Sequence, residues 1–142
     1  VLFRSARTQG EGRNEITPSG PSPKRCFEIG RATAQYFANS PWRVALIGSA
    51  SWSHASLTAK HGKLYPDMAA DRKRYEELKS GRFSEWGNIT QDEMDDSGQH
   101  EVLNWICLAG AMTELGQKAN VVDFVETYVF NSAKCFAVFA PN

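Results

Sequence analysis

The stretch Arg43-Val-Ala-Leu-Ile-Gly-Ser-Ala-Ser-Trp-Ser-His54 joins a short apolar run to a turn of mostly small residues that ends at a histidine. The run Val44–Ile47 predicts a strand that is buried on both faces, as in a sheet covered by helices. The turn predicts a tight loop that lets a substrate or another backbone approach closely. A second stretch, Gly98-Gln-His-Glu-Val-Leu-Asn-Trp105, places a glutamate at the start of a helix. Strand ends and helix starts are typical positions for site residues in α/β proteins.

Helices and later strands surround this strand in the sequence. Capping residues or prolines predict helix starts at Ser22-Pro23, Pro66-Asp67 and Thr90-Gln-Asp-Glu93. The run Glu101–Leu115 is apolar on most sides and predicts a buried helix, with Gly116 as its end. Two β-branched and aromatic runs, Val121–Phe130 and Cys135–Phe139, predict a hairpin or two adjacent strands. The predicted fold class is therefore α/β, a partial sheet with helices packed on it.

Length and charge limit the classes of function. The 142 residues correspond to one domain, and sixteen basic residues balance sixteen acidic ones. This balance favours neither nucleic acid nor an anionic membrane surface as a partner. No apolar run approaches the roughly eighteen residues that a membrane span needs. Three scattered cysteines, Cys26, Cys107 and Cys135, predict buried, reduced thiols in a cytoplasmic protein.

Residues 1–20 differ from the rest of the chain. They are rich in Arg, Gly, Ser, Thr and Glu and show no hydrophobic period, so they predict a disordered or foreign segment. Leu2-Phe3-Arg4-Ser5 is also what the end of a common sequencing adapter encodes, which favours a translated, truncated read. A genuine flexible segment is the alternative. Residues 21–142 are expected to form the folded part.

His54 and Glu101 are the candidate functional residues. An imidazole titrates near neutrality and can act as a general acid or base, although a hydrogen-bonded loop histidine is the alternative. A carboxylate at a helix start interacts favourably with the helix dipole, so Glu101 needs no further role on these grounds. The residues alone leave both alternatives open.

At these positions the chain resembles the class III (LigB-type) extradiol ring-cleavage dioxygenases. The segment Ile47-Gly-Ser-Ala-Ser-Trp-Ser-His54 is similar to the family segment that carries the second-sphere catalytic histidine. Gly98, Glu101 and Trp105 match the setting of the family's iron-binding glutamate. The resemblance covers residues 21–139 and identifies them with the C-terminal half of the catalytic domain, as in a catalytic or β subunit.

The resemblance implies Fe(II)-dependent meta-cleavage of a catecholic aromatic by O₂. It assigns catalysis to His54, a metal-ligand role to Glu101 and substrate contacts to Asn131 and Ser132. It also implies that both histidine ligands of a 2-His-1-carboxylate site come from the N-terminal half, outside this chain. The chain alone is then expected to be inactive, and a homo-oligomer or a small α subunit is a possible partner.

Other interpretations remain open at this point. The chain is alternatively a non-catalytic relative that binds a ligand or a protein, or a Zn²⁺-dependent hydrolase. His61 is expected at a loop or pocket rim, and His100 on another side of the helix start. The acidic cluster between Asp92 and Asp96 lacks the spacing of an EF-hand loop, so it predicts a solvated helix face, as does Arg72-Lys73-Arg74.

Overall fold

The computed structural model describes residues 2–3 and 20–140. Most of the predicted disordered or foreign segment, residues 1–20, lies outside the described residues. The helices are α1 (Pro23–Ala38), α2 (Met68–Lys79), α3 (Gln91–Ser97) and α4 (Val102–Glu114), with short 3₁₀ helices at Ala55–Leu57, Lys60–Lys63 and Arg82–Asn88. The strands are β1 (Leu2–Phe3), β2 (Ile47–Gly48), β3 (Lys118–Val125) and β4 (Lys134–Ala140). The α/β class predicted from the sequence is confirmed.

The predicted helix starts are confirmed by their capping contacts. Ser22 Oγ accepts a hydrogen bond from the Arg25 amide at 3.2 Å, which begins α1. The side chains of Asp67 and Thr90 cap α2 and α3 in the same way. Each cap satisfies an amide that would otherwise lack a partner in the first helical turn.

The core is built around α4, which is buried from Val102 to Met112. Helix α1 crosses α4 at very short range, and two glycines make this possible. A Cβ atom placed on Gly30 would lie 1.8 Å from the carbonyl oxygen of Cys107, and one on Gly110 would lie 2.1 Å from that of Phe27. Any side chain at these positions would therefore push the two helices apart.

The strands form two separate pairs within the described residues. β1 and β2 pair in parallel, with Leu2 opposite Ile47 and Phe3 opposite Gly48. β3 and β4 form an antiparallel hairpin whose register shifts between Val121 and Asp123. Among the described residues, no helix is both long and apolar enough to cross a membrane.

Two predictions about the strands are wrong in detail. The run Val44–Ile47 is not a strand buried on both faces, because β2 covers only Ile47–Gly48 and the Ile47 side chain is 55% exposed. Its partner within residues 2–3 and 20–140 is two residues long, so much of the run has no neighbouring strand to cover it. The strand predicted at Val121–Phe130 begins earlier, at Lys118, and ends at Val125 where its pairing with Lys134 ends.

Candidate functional site

The loop after β2 holds His54 against two other segments. The His54 amide donates to the Gly98 carbonyl oxygen at 3.1 Å, and His54 also forms an isolated antiparallel bridge with Ser132. The next amide, that of Ala55, donates to the Asn131 carbonyl at 3.1 Å. These backbone bonds fix the histidine between the segment that joins α3 to α4 and the connection between β3 and β4.

Glu101 immediately precedes α4, and its side chain points back to the same loop. Its Oε2 accepts a hydrogen bond from the Ser51 amide at 3.2 Å and lies 3.3 Å from His54 Nε2. The carboxylate makes no capping bond to α4. The two candidate residues of the sequence analysis therefore lie side by side.

The contact between His54 and Glu101 leaves part of the hydrogen-bonding capacity of both side chains unused. It lies within ion-pair distance but lacks hydrogen-bond alignment, so the buried His54 Nε2 has no hydrogen-bond partner in the described part of the chain. The side chains remain 24% and 43% exposed, respectively. Both side chains are thus partly exposed, although the Nε2 atom of His54 is itself buried.

Two side chains of α4 hold the rest of the loop in place. Asn104 Nδ2 donates to the Ser49 carbonyl at 3.1 Å, and Trp105 Nε1 lies 3.4 Å from the Ala50 carbonyl. The indole of Trp105 also packs edge-on against the fully buried Trp52. Because these contacts tie the loop carbonyls to a buried helix, they hold the loop in one conformation.

Asn131 and Ser132 occupy different positions at the site. Ser132 is buried at 2% exposure, and its hydroxyl accepts a hydrogen bond from Lys134 Nζ. Asn131 is exposed and has a positive φ of 52°, a conformation that asparagine tolerates better than most residues. With its side-chain amide nitrogen turned toward them, Asn131 donates to the carbonyls of Leu64 (3.3 Å) and Tyr128 (3.0 Å). Ser132 thus lies inside the contact between the hairpin connection and the loop, whereas Asn131 lies at the surface.

A buried polar network behind the loop was not predicted from the sequence. The fully buried Asp71 of α2 accepts hydrogen bonds from the Ser53 amide (3.0 Å), the Ser53 hydroxyl (2.6 Å) and the Gln99 side chain (2.8 Å). Ser53 precedes His54, and Gln99 lies two residues before Glu101. Burial raises the pKa of Asp71 in spite of these hydrogen bonds. The network ties both site segments to one point on α2.

The prediction that Arg72-Lys73-Arg74 forms a solvated helix face is wrong for Arg74. This arginine is 3% exposed and forms ion pairs with Glu77 at 2.7 Å and with Glu93 at 2.5 Å. Its Nε lies 3.4 Å from Gln99 Oε1, so it extends the buried network. The sequence pattern predicted a solvated position for Arg74 because α2 carries few apolar side chains. One of the two carboxylates that pair with Arg74, that of Glu93, comes from α3 and cannot be read from the pattern of α2.

A model of the LigB family, the catalytic LigB subunit of aromatic ring-opening dioxygenase, matches residues 14–138. The chain belongs to the LigB family. This membership supports an aromatic ring-opening dioxygenase function with an aromatic substrate, and it implies a metal cofactor. A search among curated proteins found no match to the chain.

The other histidines of this LigB chain lie apart from the pair of His54 and Glu101. His61 is exposed and stacks on Tyr65, with ring centroids 4.2 Å apart. His100 is buried and binds Asp95 through Nε2 at 2.7 Å. Within the described residues, no group of three His, Cys, Asp or Glu side chains is arranged to hold a metal ion. The structure therefore does not assemble His54, His61 and Glu101 into a triad.

The cysteines of the LigB chain are buried and free of disulfides, which confirms their prediction as buried thiols. Burial raises the pKa of Cys135 to about 12, so this thiol remains protonated near neutrality. Cys135 also lines a large apolar groove of about 970 Å³ between α1, the segment before β2 and the hairpin. Neither His54 nor Glu101 lines that groove, which separates it from the site described above.

The Asp71 network makes a testable contribution to the stability of the LigB chain. Asp71→Ala is expected to lower the free energy of unfolding by about 2–4 kcal/mol, because it leaves the buried Ser53 and Gln99 donors without their acceptor. Urea denaturation followed by tryptophan fluorescence measures the loss. Asp71→Asn keeps the shape and one acceptor oxygen and should lose less. The exposed Asp92 provides the control: Asp92→Ala should change stability by less than about 1 kcal/mol, and an equal loss in both alanine variants would contradict the assignment.

Proposed function

We propose that this chain supplies part of the active site of an Fe(II)-dependent extradiol dioxygenase, which cleaves a catecholic aromatic with O₂. The observation that carries the proposal is the 3.3 Å contact between His54 Nε2 and Glu101 Oε2 in a LigB family member. The two residues come from distant parts of the sequence, yet the fold places them together and ties both segments to Asp71. This arrangement supports a shared role at one site.

Glu101 fits one ligand position of a facial 2-His-1-carboxylate iron site. Its Oε2 is held by the Ser51 amide, whereas its Oε1 has no hydrogen-bond partner among residues 20–140. A carboxylate that is fixed at one oxygen and free at the other suits a metal ligand. His61 and His100 do not fit the remaining positions, since one stacks on an exposed tyrosine and the other binds Asp95. We place the two histidine ligands in an N-terminal half of the protein, outside this chain.

His54 is proposed as the acid/base group. Its Nε2 lies beside the metal-ligand carboxylate and has no hydrogen-bond partner within the described chain, so it is available to a catechol hydroxyl. In this role it accepts a proton from the substrate and returns one as the ring opens. Bound iron would bring the diol and O₂ together and carry electron density between them. Ser132 and, at the rim, Asn131 are proposed to contact polar groups of the substrate.

The cellular setting follows from the same proposal. Free cysteines at positions 26, 107 and 135 suit a cytoplasm, where thiols remain reduced. The aromatic substrate and O₂ are small molecules, and neither nucleic acid nor a membrane is needed for their reaction. A second copy of the protein or a small α subunit is a proposed partner.

The decisive test uses the full-length protein that contains this chain, loaded with Fe(II) under anaerobic conditions. Mixing with catechol and ¹⁸O₂ should give the ring-opened semialdehyde acid with both labelled atoms, as measured by mass spectrometry. The Zn(II)-loaded protein should give none. Residues 21–142 alone should also be inactive, because they provide one ligand where three are needed. The intradiol diacid product, or cleavage by residues 21–142 above a Glu101→Ala control, would contradict the proposal.

A further inference from the structure

Two buried cysteines meet where helices α1 and α4 cross. Cys26, Gly30 and Ala34 follow one another at four-residue spacing and are all buried, so they share the face of α1 that packs on α4. Cys107 lies on the opposing face of α4, where its carbonyl oxygen faces Gly30. The thiols of Cys26 and Cys107 are hydrogen-bonded to each other across this crossing. The fold therefore brings together two thiols that are far apart in the sequence.

The close approach of the helices makes a bridge between these cysteines geometrically possible. Packed helix axes usually lie about 8–10 Å apart, whereas the Cα atoms of a disulfide lie about 4.4–6.8 Å apart. Gly30 and Gly110 lack the side chains that would keep α1 and α4 at the usual separation, and the carbonyl oxygens of Cys107 and Phe27 occupy that space instead. Because the two backbones are in contact at the crossing, cysteines that face each other there come within the reach of a disulfide.

The two thiols differ in acidity, which assigns them different roles. The Cys107 thiol donates its hydrogen to the Cys26 sulfur and so lowers the pKa of Cys26, whereas the same contact and burial raise the pKa of Cys107. Cys26 also lies in the first turn of α1, where its amide donates to the Ser22 carbonyl at 2.9 Å and the helix dipole favours a thiolate. Cys26 is therefore the sulfur suited to attack an oxidant, and Cys107 the one suited to react with the product.

We propose that Cys26 and Cys107 form a peroxide-sensitive pair, and that their oxidation to a disulfide links α1 covalently to α4. The Cys26 thiolate attacks one oxygen of hydrogen peroxide, the O–O bond breaks, and the hydroxide that leaves takes up the proton that Cys26 released. The Cys107 sulfur then attacks the sulfur of the Cys26 sulfenic acid. The S–S bond forms while the S–O bond breaks, and the hydroxide leaves with the Cys107 proton as a second water. Two thiols lose two electrons in total, and one peroxide is reduced to two waters.

The position of the pair determines how the bridge acts. His54 and Glu101 both lie between the two cysteines in the sequence, so the disulfide closes a long loop that contains both site residues. Closing a long loop restricts the unfolded chain and thereby stabilises the folded one. Cys26 and Cys107 are only 3% and 7% exposed, so peroxide reaches them when the first turn of α1 opens locally. Neither step involves the metal or an aromatic substrate, which makes the pair independent of the proposed ring-cleaving function.

The test treats the native full-length protein with hydrogen peroxide and maps its thiols by mass spectrometry after alkylation and non-reducing digestion. The peptides that contain Cys26 and Cys107 should be recovered joined and lighter by two hydrogens, and dithiothreitol should separate them. The melting temperature of the oxidised protein should rise by roughly 5–15 °C. Cys107→Ala should give no joined peptide and should accumulate the Cys26 sulfenic acid, which dimedone traps. The matched control is Cys135→Ala, because this buried thiol lies on β4 and its loss should leave formation of the bridge unchanged.

The wild-type protein alone can refute the pairing, so the test does not depend on the folding of either variant. Recovery of Cys26 and Cys107 as free thiols after prolonged exposure would overturn the proposal, as would a bridge from Cys26 to another cysteine. Sulfinic acid at Cys26 without a bridge would show that Cys107 does not react with the sulfenic acid. A bridge that lowers the melting temperature would show that it distorts the crossing and does not stabilise the fold.

Discussion

His54→Gln is expected to lower kcat for catechol cleavage by about 10²–10⁴-fold in the full-length Fe(II)-loaded protein, while iron content and catechol binding stay normal. Glutamine keeps a polar side chain of similar length but cannot take or return a proton. The histidine is held by its own backbone, through the Gly98 carbonyl at 3.1 Å and the bridge to Ser132, so the loop should keep its shape. The loss should therefore appear in turnover and not in assembly of the site.

The measurement combines steady-state kinetics with iron analysis of the same samples. His61→Gln provides a matched control, because His61 is exposed, stacks on Tyr65 and lies outside the pair of His54 and Glu101. It should retain the kcat of the wild type. Loss of iron from His54→Gln would identify His54 as a metal ligand and refute its assignment as a second-sphere residue.

The helices of this chain were largely predictable because the signals that start and end them are local. Ser22, Asp67 and Thr90 each bond to an amide three residues ahead, so a short window of sequence contains the whole cap. Gly98 and Gly116 adopt positive φ after helical segments, as glycines at helix ends commonly do. The buried helix α4 followed from its apolar composition alone.

The strands were predicted less well because their extent and burial depend on partners. Apolar residues continue beyond Val125, but the hairpin ladder ends there, and Tyr128, Val129 and Phe130 are exposed. The apolar run before Gly48 predicts burial only if neighbouring strands and helices cover it. No local pattern reports whether such neighbours are present.

The candidate site was predicted in part. The resemblance singled out His54 and Glu101, and the structure places them in contact, although spacing alone left each with an ordinary structural role. Asp71 and Lys134 were missed because a charged residue in a helix or a strand usually faces solvent. An Asp in a helix with few apolar residues gives no local sign that a serine and a glutamine from distant segments will bind it.

Glu101→Ala is expected to abolish iron retention in the full-length protein. Removing one of three ligands leaves an incomplete facial site, and the affinity for Fe(II) should fall by more than about 100-fold, the upper end of what second-shell changes cost. The measurement is the iron content per protein after anaerobic loading and desalting, together with circular dichroism to confirm folding. Glu114→Ala is the matched control, since Glu114 lies at the other end of α4 and binds Arg31 and Gln35, each at 2.8 Å.

The Glu101→Ala variant also tests the alternative, in which Glu101 only interacts favourably with the helix dipole. A glutamate that only favours the helix dipole contributes roughly 0.3–1 kcal/mol to stability and nothing to metal binding, so near-normal iron content in Glu101→Ala would establish that role. The carboxylate makes no capping bond and instead approaches His54, which argues against it. The two site variants should therefore separate cleanly, because Glu101→Ala loses the metal whereas His54→Gln retains it and loses turnover. Two neighbouring side chains that differ in this way would hold distinct roles at one centre.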